Sequence, residues 1–157
     1  MASFIVRAAV SDDAPRLVEG NLALARETES LALDRTVLRA GVHRVLHTDV
    51  GASYFVCTHC ETGAVMGQLM VTTEWSDWRN GAVWWIQSVY VWPDARGLGV
   101  FRALYEAVCA RAVSAGATGV RLYVDTRNTR AQAVYTRLGM NGDHYRMFEA
   151  MFSAEDS

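Results

Sequence analysis

The spacing of apolar residues divides this chain into strand-like and helix-like segments. Strands are predicted where β-branched and aromatic residues cluster or alternate between turn residues, at positions 3–9, 54–56, 65–71, 83–92, 119–125 and 145–152. Helices are predicted where apolar residues recur every three or four positions, from 11 to a break near 27–30 and at 36–46, 100–115 and 128–138. Positions 74–81 are predicted to form a polar, tryptophan-containing loop.

The resulting element order, β-α-α-β-β-β-α-β-α-β, predicts one α/β (α+β) domain over residues 1–157. The strand at 83–92, the helix after it and the strand at 119–125 form a crossover, which places a parallel pair inside a mixed sheet. No linker, repeat or low-complexity segment interrupts the chain. Since 51% of the 157 residues are hydrophobic, one sizeable core is expected.

The turn between the fourth strand and the helix at 100–115 carries the most specific chemistry. It reads Asp-Ala-Arg-Gly-Leu-Gly-Val-Phe-Arg from Asp94 to Arg102. Gly97 and Gly99 permit a sharp turn, and the first N–H groups of the helix have no acceptor within it. These donors and the positive end of the helix dipole favour a phosphate or pyrophosphate, and Arg96 and Arg102 are expected to add charge-assisted contacts. A dinucleotide site is disfavoured because the third glycine of that motif is missing.

Composition narrows the classes of partner. A formal net charge of −2 gives no reason to expect nucleic acid or an anionic membrane as partner. All fifteen Lys and Arg residues are arginine, so a lysine nucleophile or Schiff base is excluded. The sequence shows no signal-peptide pattern, and no apolar run approaches the roughly 20 residues of a membrane span. Three cysteines do not make a disulfide framework, which favours a cytoplasmic protein.

The cysteines and histidines do not predict a metal site. Cys57-Thr58-His59-Cys60 provides one metal-ligand pair, and His43 and His47 lie earlier in the chain. A structural zinc site normally has two pairs with recognisable spacing, and the second pair is missing. Cys109, within the helix at 100–115, is expected to be a small buried apolar residue.

Two motifs resemble those of the GNAT superfamily of acyl-CoA-dependent N-acetyltransferases. The first, Gln/Arg-x-x-Gly-x-Gly/Ala, is matched from Arg96 to Val100, with Phe101 in place of the small last residue. The second is Asn-x-x-Ala-x-x-x-Tyr-x-x-x-Gly-Phe. It is matched by Asn128, Ala131, Tyr135 and Gly139, and Met140 stands in place of the final Phe. Because Phe101 begins a helix, its side chain is expected to point into the core while its N–H faces the ligand.

The resemblance implies a mostly antiparallel sheet whose central parallel pair splays at a site for acetyl-CoA. Backbone groups of Val89, Tyr90 and Val91 would pair with the amide-bearing arm of the cofactor. The pyrophosphate would be held by the loop residues Arg96, Gly97, Leu98, Gly99, Val100, Phe101 and Arg102. Asn128, Ala131 and Tyr135 would also contact the cofactor, with Tyr135 beside the thioester sulfur.

Acyl transfer to an amine needs a neutral amine, a donor for the carbonyl oxygen and a proton for the thiolate. The backbone N–H of Val89 is the expected oxyanion donor. The neutral hydroxyl of Tyr135 is the expected general acid. The base stays open between a water chain to Glu74, Asp125 or another carboxylate and simple desolvation of the amine.

Acidic and aromatic side chains predict a site for a cationic amine, through ion pairs and cation–π contacts. These substrate residues are Glu27, Glu29, Trp75, Asp77 and Gln87. The alternative is a solvated acidic loop, since charged loop residues are mostly exposed.

The sequence therefore predicts an N-acetyltransferase that passes an acetyl group from acetyl-CoA directly to a primary amine of a small molecule. A ping-pong route would need a positioned cysteine or serine, and none is indicated. Two alternatives stay open: a catalytically silent acyl-CoA-binding sensor or partner module, and acetylation of a protein or peptide amine. The exposed edges of a mixed sheet make a homodimer reasonable.

Overall fold

The computed structural model describes residues 3–153, which form two compact units that meet in sequence between Leu122 and Tyr123. The strands of the first unit are β1 (Phe4–Ala8), β2 (Ala52–His59), β3 (Val65–Ser76), β4 (Gly81–Val91) and β5 (Gly119–Leu122). Its helices are α1 (Ala14–Glu29), α2 (Arg35–His47) and α3 (Val100–Ser114). The second unit contains α4 (Thr129–Arg137). The prediction of one domain over 1–157 stays a prediction.

The five strands form one mixed sheet in the order β1-β2-β3-β4-β5. Neighbours from β1 to β4 are antiparallel. β4 and β5 are parallel, from the pair Val83↔Gly119 to the pair Ile86↔Leu122. The crossover predicted through α3 is therefore confirmed, because parallel neighbours need a long connection.

Apolar side chains cover both faces of this sheet. On one face, the predicted helical stripe of Val100, Leu104 and Val108 packs with Leu69 and Ile86. On the other face, Leu17 and Val42 pack with Tyr54 and Val56 of β2. Both faces of the central strands are therefore buried, which is why these strands are rich in apolar residues at consecutive positions.

α1 approaches the sheet closely at one glycine. Gln68 of β3 is fully buried, and its Nε2 donates to the carbonyl oxygen of Leu17 at 3.1 Å. A Cβ added at Gly20 would lie 2.2 Å from Gln68 Oε1. The small residue at position 20 therefore sets the distance between α1 and β3.

The start of α1 is fixed by a buried carboxylate. Asp13 accepts hydrogen bonds from Arg7 Nη1 at 2.7 Å and from the Val10 amide at 2.8 Å. Burial alone would raise the pKa of Asp13, but the Arg7 guanidinium and the Val10 amide hold that pKa below its usual value. This contact joins β1 to the first turn of α1.

Two predicted boundaries and one predicted strand are wrong. The loop predicted at 74–81 is shorter, since β3 and β4 stay paired as far as Ser76↔Gly81 and only a tight turn separates them. β5 ends at Leu122 rather than at position 125. In the described part of the chain, residues 145–152 form no strand, and the side chains of Phe148 and Phe152 are 89% and 88% exposed. A strand-like composition there does not suffice without a ladder partner.

No helix among residues 3–153 is both long enough and apolar enough to cross a bilayer.

Candidate active site

A bulge interrupts β4 near its carboxyl end. Gln68 faces Tyr90 and Met70 faces Gln87, so β4 carries one more residue than β3 across this interval. Ser88 absorbs the extra residue with a φ of +51°. Bulges re-aim the backbone of a strand and are frequent beside active sites. Here the bulge lies directly before Val89, the residue predicted to donate its N–H to an oxyanion.

Beyond the bulge, β4 outruns its parallel neighbour. Its pairing with β5 ends at Ile86, whereas the strand continues to Val91. The Trp92 amide donates to the Met66 carbonyl at 3.0 Å. Since N–H directions alternate along an antiparallel ladder, the backbone groups of Val91 face away from β3. Within the described part of the first unit, this edge has no strand partner, so it offers backbone groups to an extended ligand.

The glycine-rich turn follows this edge and leads into α3. Gly97 and Gly99 have φ values of +77° and +86°, and a Cβ added at either would meet no atom within 4 Å. Ala103 N donates to the Gly99 carbonyl oxygen at 3.0 Å, so the helical hydrogen bonds begin there and the N–H groups of the first turn point out of the helix end. A helix N-terminus with its N–H groups directed outward suits an anion, and the pyrophosphate site stays a prediction.

The side chains around this turn do not all point to a phosphate. Arg102 Nε donates to Glu106 Oε1 at 2.8 Å, one turn further along α3. Phe101 is half-buried, with its ring centroid 6.2 Å from that of Tyr105. Leu98 is half exposed. The turn therefore presents backbone donors, and its arginine at 102 already has an acidic neighbour.

Glu27, predicted to bind a cationic substrate, has two partners within the chain. Its Oε2 accepts from Arg96 Nη2 at 2.7 Å, and its Oε1 accepts from the Tyr90 hydroxyl at 3.0 Å. Arg96 Nε also donates to the Val91 carbonyl oxygen at 3.0 Å. The acidic group thus faces the glycine-rich turn, and its charge is compensated by Arg96. Sequence spacing could not reveal this network, because Glu27 and Arg96 are far apart along the chain.

Gln87 is the predicted substrate residue that lies next to the bulge. Its Nε2 donates to Thr72 Oγ1 at 2.6 Å on the face covered by α1. Glu29 is exposed in the last turn of α1.

Glu74, Trp75 and Asp77 lie at the opposite end of the β3–β4 hairpin from the bulge. Glu74 pairs with Val83 and Trp75 with Ala82, whereas Leu69 lies opposite the bulge. At the usual rise per residue, Glu74 is roughly 17 Å from Leu69 along β3. Its Oε2 accepts from Trp85 Nε1 at 2.5 Å. Glu74 is therefore too far from Val89 for direct proton transfer, and its role through a water chain stays a prediction, as do the substrate roles of Trp75 and Asp77.

In the second unit, the residues of the second motif lie on α4 and its cap. Asn128 Oδ1 accepts from the Ala131 amide at 3.1 Å, which caps the helix. Tyr135 is half-buried, and burial raises the pKa of its hydroxyl. Asp125 accepts from Arg127 Nη2 at 2.6 Å, and hydrogen bonds from Arg127 lower the pKa of Asp125 to about 2. A carboxylate of such low pKa is a poor general base.

The described residues also bear on two other kinds of site, a reactive cysteine and a metal centre. Burial raises the pKa of Cys57 to about 11, which keeps it a thiol at neutral pH. Residues 3–153 contain no cluster of three or more His, Cys, Asp or Glu side chains placed to hold a metal ion.

Comparisons with known proteins agree with this architecture. The model of the Acetyltransferase (GNAT) family matches residues 23–140. Among solved structures, a possible acetyltransferase from Clostridium difficile 630 is 38% identical, with a TM-score of 0.86 over 96% of this chain and 98% of that one. No curated protein matches the chain.

More distant structures share the fold. A ribosomal-protein-alanine N-acetyltransferase from Brucella melitensis biovar Abortus 2308 is 14% identical, with a TM-score of 0.76 over 96% of this chain and 100% of that one. AAC(6')-Iy in complex with the bisubstrate analogue CoA-S-monomethyl-acetylneamine is 18% identical, with a TM-score of 0.73 over 97% of this chain and 100% of that one. At these identities the likeness concerns the fold alone.

Proposed function

This chain belongs to the GNAT family of acetyltransferases, and from that premise we propose that it transfers an acetyl group from acetyl-CoA directly to a primary amine of a small molecule. The observation that carries the proposal is the succession of three features on one stretch of chain. A bulge at Ser88, an open strand edge to Val91 and a cradle of amide donors at the start of α3 follow one another. Together they suit a long ligand with a pyrophosphate at one end and amides along its arm.

The resident groups would hold acetyl-CoA through the backbone. Amides of residues 97–102 would bind the pyrophosphate, since the Arg96 N–H already donates to the Pro93 carbonyl oxygen at 3.2 Å. The edge of β4 at Val89 and Val91 would pair with the amide-bearing arm, whereas the backbone groups of Tyr90 face β3. Because the Val91 carbonyl already accepts from Arg96, its N–H is the better group for the arm. Acetyl-CoA supplies the activated acetyl group as a thioester.

The Val89 N–H is the proposed oxyanion donor. The bulge at Ser88 breaks the regular alternation of the ladder just before this amide. A preorganised donor of this kind contributes about 3 kcal/mol to the stabilisation of developing negative charge.

Tyr135 is the proposed general acid, by its match to the second motif of the family. Burial raises the pKa of its hydroxyl, so the group stays protonated at neutral pH and can give its proton to the departing sulfur. Asn128 and Ala131, at the start of α4, are proposed to contact the cofactor.

The amine needs no strong protein base in this proposal. Removal from water disfavours the ammonium form and lowers the pKa of the amine. Gln87, beside the bulge, is the proposed polar contact of the acceptor, and Glu29 stays a predicted one. The high pKa of the buried Cys57 thiol supports direct transfer rather than a covalent acetyl-cysteine route.

Calorimetric titration with acetyl-CoA tests the proposal first, with free CoA and dephospho-CoA as controls. We expect micromolar binding of acetyl-CoA and weaker binding when the ribose phosphate is removed. Failure to bind any of the three ligands would overturn the proposal. Binding without CoA release in the presence of any acceptor would favour the silent sensor.

The acceptor class is tested by CoA release with two panels, small primary amines and peptides with free N-termini. Turnover confined to the peptides would replace the small-molecule proposal by protein or peptide acetylation. The same preparations, measured by sedimentation, test the proposed homodimer. The three free cysteines fit the cytoplasmic location proposed for the enzyme.

A further inference from the structure

The Glu27 carboxylate bridges three parts of the first unit. It lies in the last turns of α1, accepts from the Tyr90 hydroxyl of β4 at 3.0 Å and accepts from Arg96 Nη2 of the glycine-rich turn at 2.7 Å. Arg96 in turn donates through Nε to the Val91 carbonyl oxygen at 3.0 Å. We call this group of Glu27, Tyr90, Val91 and Arg96 the clasp.

The hydrogen bonds of the clasp engage the side chain of Arg96, the first residue of the phosphate-loop motif. Two donors of the Arg96 guanidinium are used, Nη2 by Glu27 and Nε by Val91, and the same group lies 5.5 Å from the centre of the Tyr90 ring. An arginine held through two donors has a defined orientation, because the guanidinium is planar and its donors are fixed in a fork. Its backbone, directly before Gly97, is thereby tied to β4 and α1.

Tyr90 completes the contact from the sheet. Its side chain is 4% exposed. Burial first, and then the neighbouring Glu27 carboxylate, raise the pKa of its hydroxyl, so it remains a donor. One oxygen of Glu27 is thus held by a buried group, which orients the other oxygen toward Arg96.

We propose that Glu27 is a positioning residue for the glycine-rich turn and acts on the cofactor side of the site through Arg96. Gly97 and Gly99 alone leave the turn conformationally free, so an anchor at position 96 reduces the number of shapes that the turn adopts before the pyrophosphate binds. Its effect on affinity rests on the acetyl-CoA binding proposed above. The consequence is that loss of Glu27 weakens acetyl-CoA binding and leaves acceptor binding unchanged.

The first test uses the free protein and needs no ligand. Backbone order parameters of residues 96–102, from nitrogen-15 relaxation, are compared between the wild type, Glu27→Gln and the matched control Glu19→Gln. Glu19 also lies on α1 and forms an ion pair, with Arg35, but that pair is outside the clasp. Lower order parameters in the turn for Glu27→Gln alone are expected. Equal order parameters in all three proteins would overturn the proposal.

The second test measures affinity and turnover. In Glu27→Gln, the Kd and KM for acetyl-CoA should rise roughly two- to fivefold, the scale of a half-exposed ion pair, with kcat and the acceptor KM unchanged. Tyr90→Phe should change the same constants in the same direction. If Glu27→Gln instead raises the acceptor KM and leaves acetyl-CoA affinity intact, Glu27 is a substrate residue and the positioning role is wrong.

A double-mutant cycle with Glu27→Gln and Arg96→Gln tests whether Glu27 acts through Arg96. If Glu27 acts through Arg96, the double variant should bind acetyl-CoA no more weakly than the weaker single variant. If the losses of acetyl-CoA affinity in the two single variants multiply in the double variant, Glu27 does not act through Arg96. Absence of acetyl-CoA binding in the wild type would instead refute the proposed function, while the relaxation experiment on the free protein would still judge the positioning of the turn.

Discussion

Tyr135 is a half-buried residue whose burial raises the pKa of its hydroxyl. Its hydroxyl is kept protonated because burial disfavours the phenolate. The residue was identified from its motif, and its place in α4 and its partial burial agree with the amphipathic pattern of that helix. The sequence could not predict that the charge of Glu27 is paired with Arg96, because the two residues come together only in the folded protein.

Replacing Tyr135 by phenylalanine should separate acid catalysis from packing. The ring volume is retained and the transferable proton is lost, so kcat should fall by about 10²-fold or more, with acetyl-CoA affinity preserved. Tyr54→Phe is the matched control, since Tyr54 is a buried tyrosine whose hydroxyl accepts from Asn21 Nδ2 at 3.2 Å. Steady-state kinetics and calorimetry measure both constants. Unchanged turnover in Tyr135→Phe would refute the acid role.

Among the helices and strands, an element with a periodic apolar pattern could be predicted from the sequence, whereas an irregularity of one residue could not. α3 was identified because Val100, Leu104 and Val108 recur on one face, and all three are buried. The bulge at Ser88 leaves no trace in the sequence, since one extra residue in an apolar strand changes neither composition nor length noticeably. The strand predicted at 145–152 was wrong because pairing depends on a partner that local composition does not specify.

The packing of α1 on β3 predicts different effects for two glycine substitutions in helices. Both Gly20→Ala and Gly41→Ala gain about 1 kcal/mol of helix propensity. At position 20 the new Cβ would lie 2.2 Å from the buried Gln68 side chain, whereas at position 41, in α2, it would meet nothing within 4 Å. Gly20→Ala should therefore leave the protein less stable than Gly41→Ala by about 1–3 kcal/mol. Urea denaturation measures both, and equal changes in the free energy of unfolding would contradict the close approach.

For the whole molecule, stability at low pH should depend on the contact between β1 and α1. The folded pKa of Asp13 is below its ordinary value, so its contribution is complete above the unfolded pKa of about 3.9 and is lost as pH falls through the folded pKa. Asp13→Asn should therefore lower the free energy of unfolding by about 1–2 kcal/mol at pH 7.

The gap between wild type and Asp13→Asn should narrow below about pH 4, because Asp13 of the unfolded chain is then protonated while that of the folded protein is still ionised. Urea denaturation at pH 7 and at pH 3 provides the comparison. A gap that is the same at both values would show that the carboxylate charge of Asp13 does not stabilise the fold.

The open space around Gly97 and Gly99 has a stereochemical consequence. Since a methyl group at either position would meet no atom within 4 Å, volume does not demand glycine in the turn. The demand comes from handedness: at φ values of +77° and +86°, an L-residue adopts a conformation that costs it about 1–2 kcal/mol. A D-amino acid favours this region by mirror symmetry. A semisynthetic protein with D-alanine at position 99 would therefore keep the shape of the turn where L-alanine would distort it.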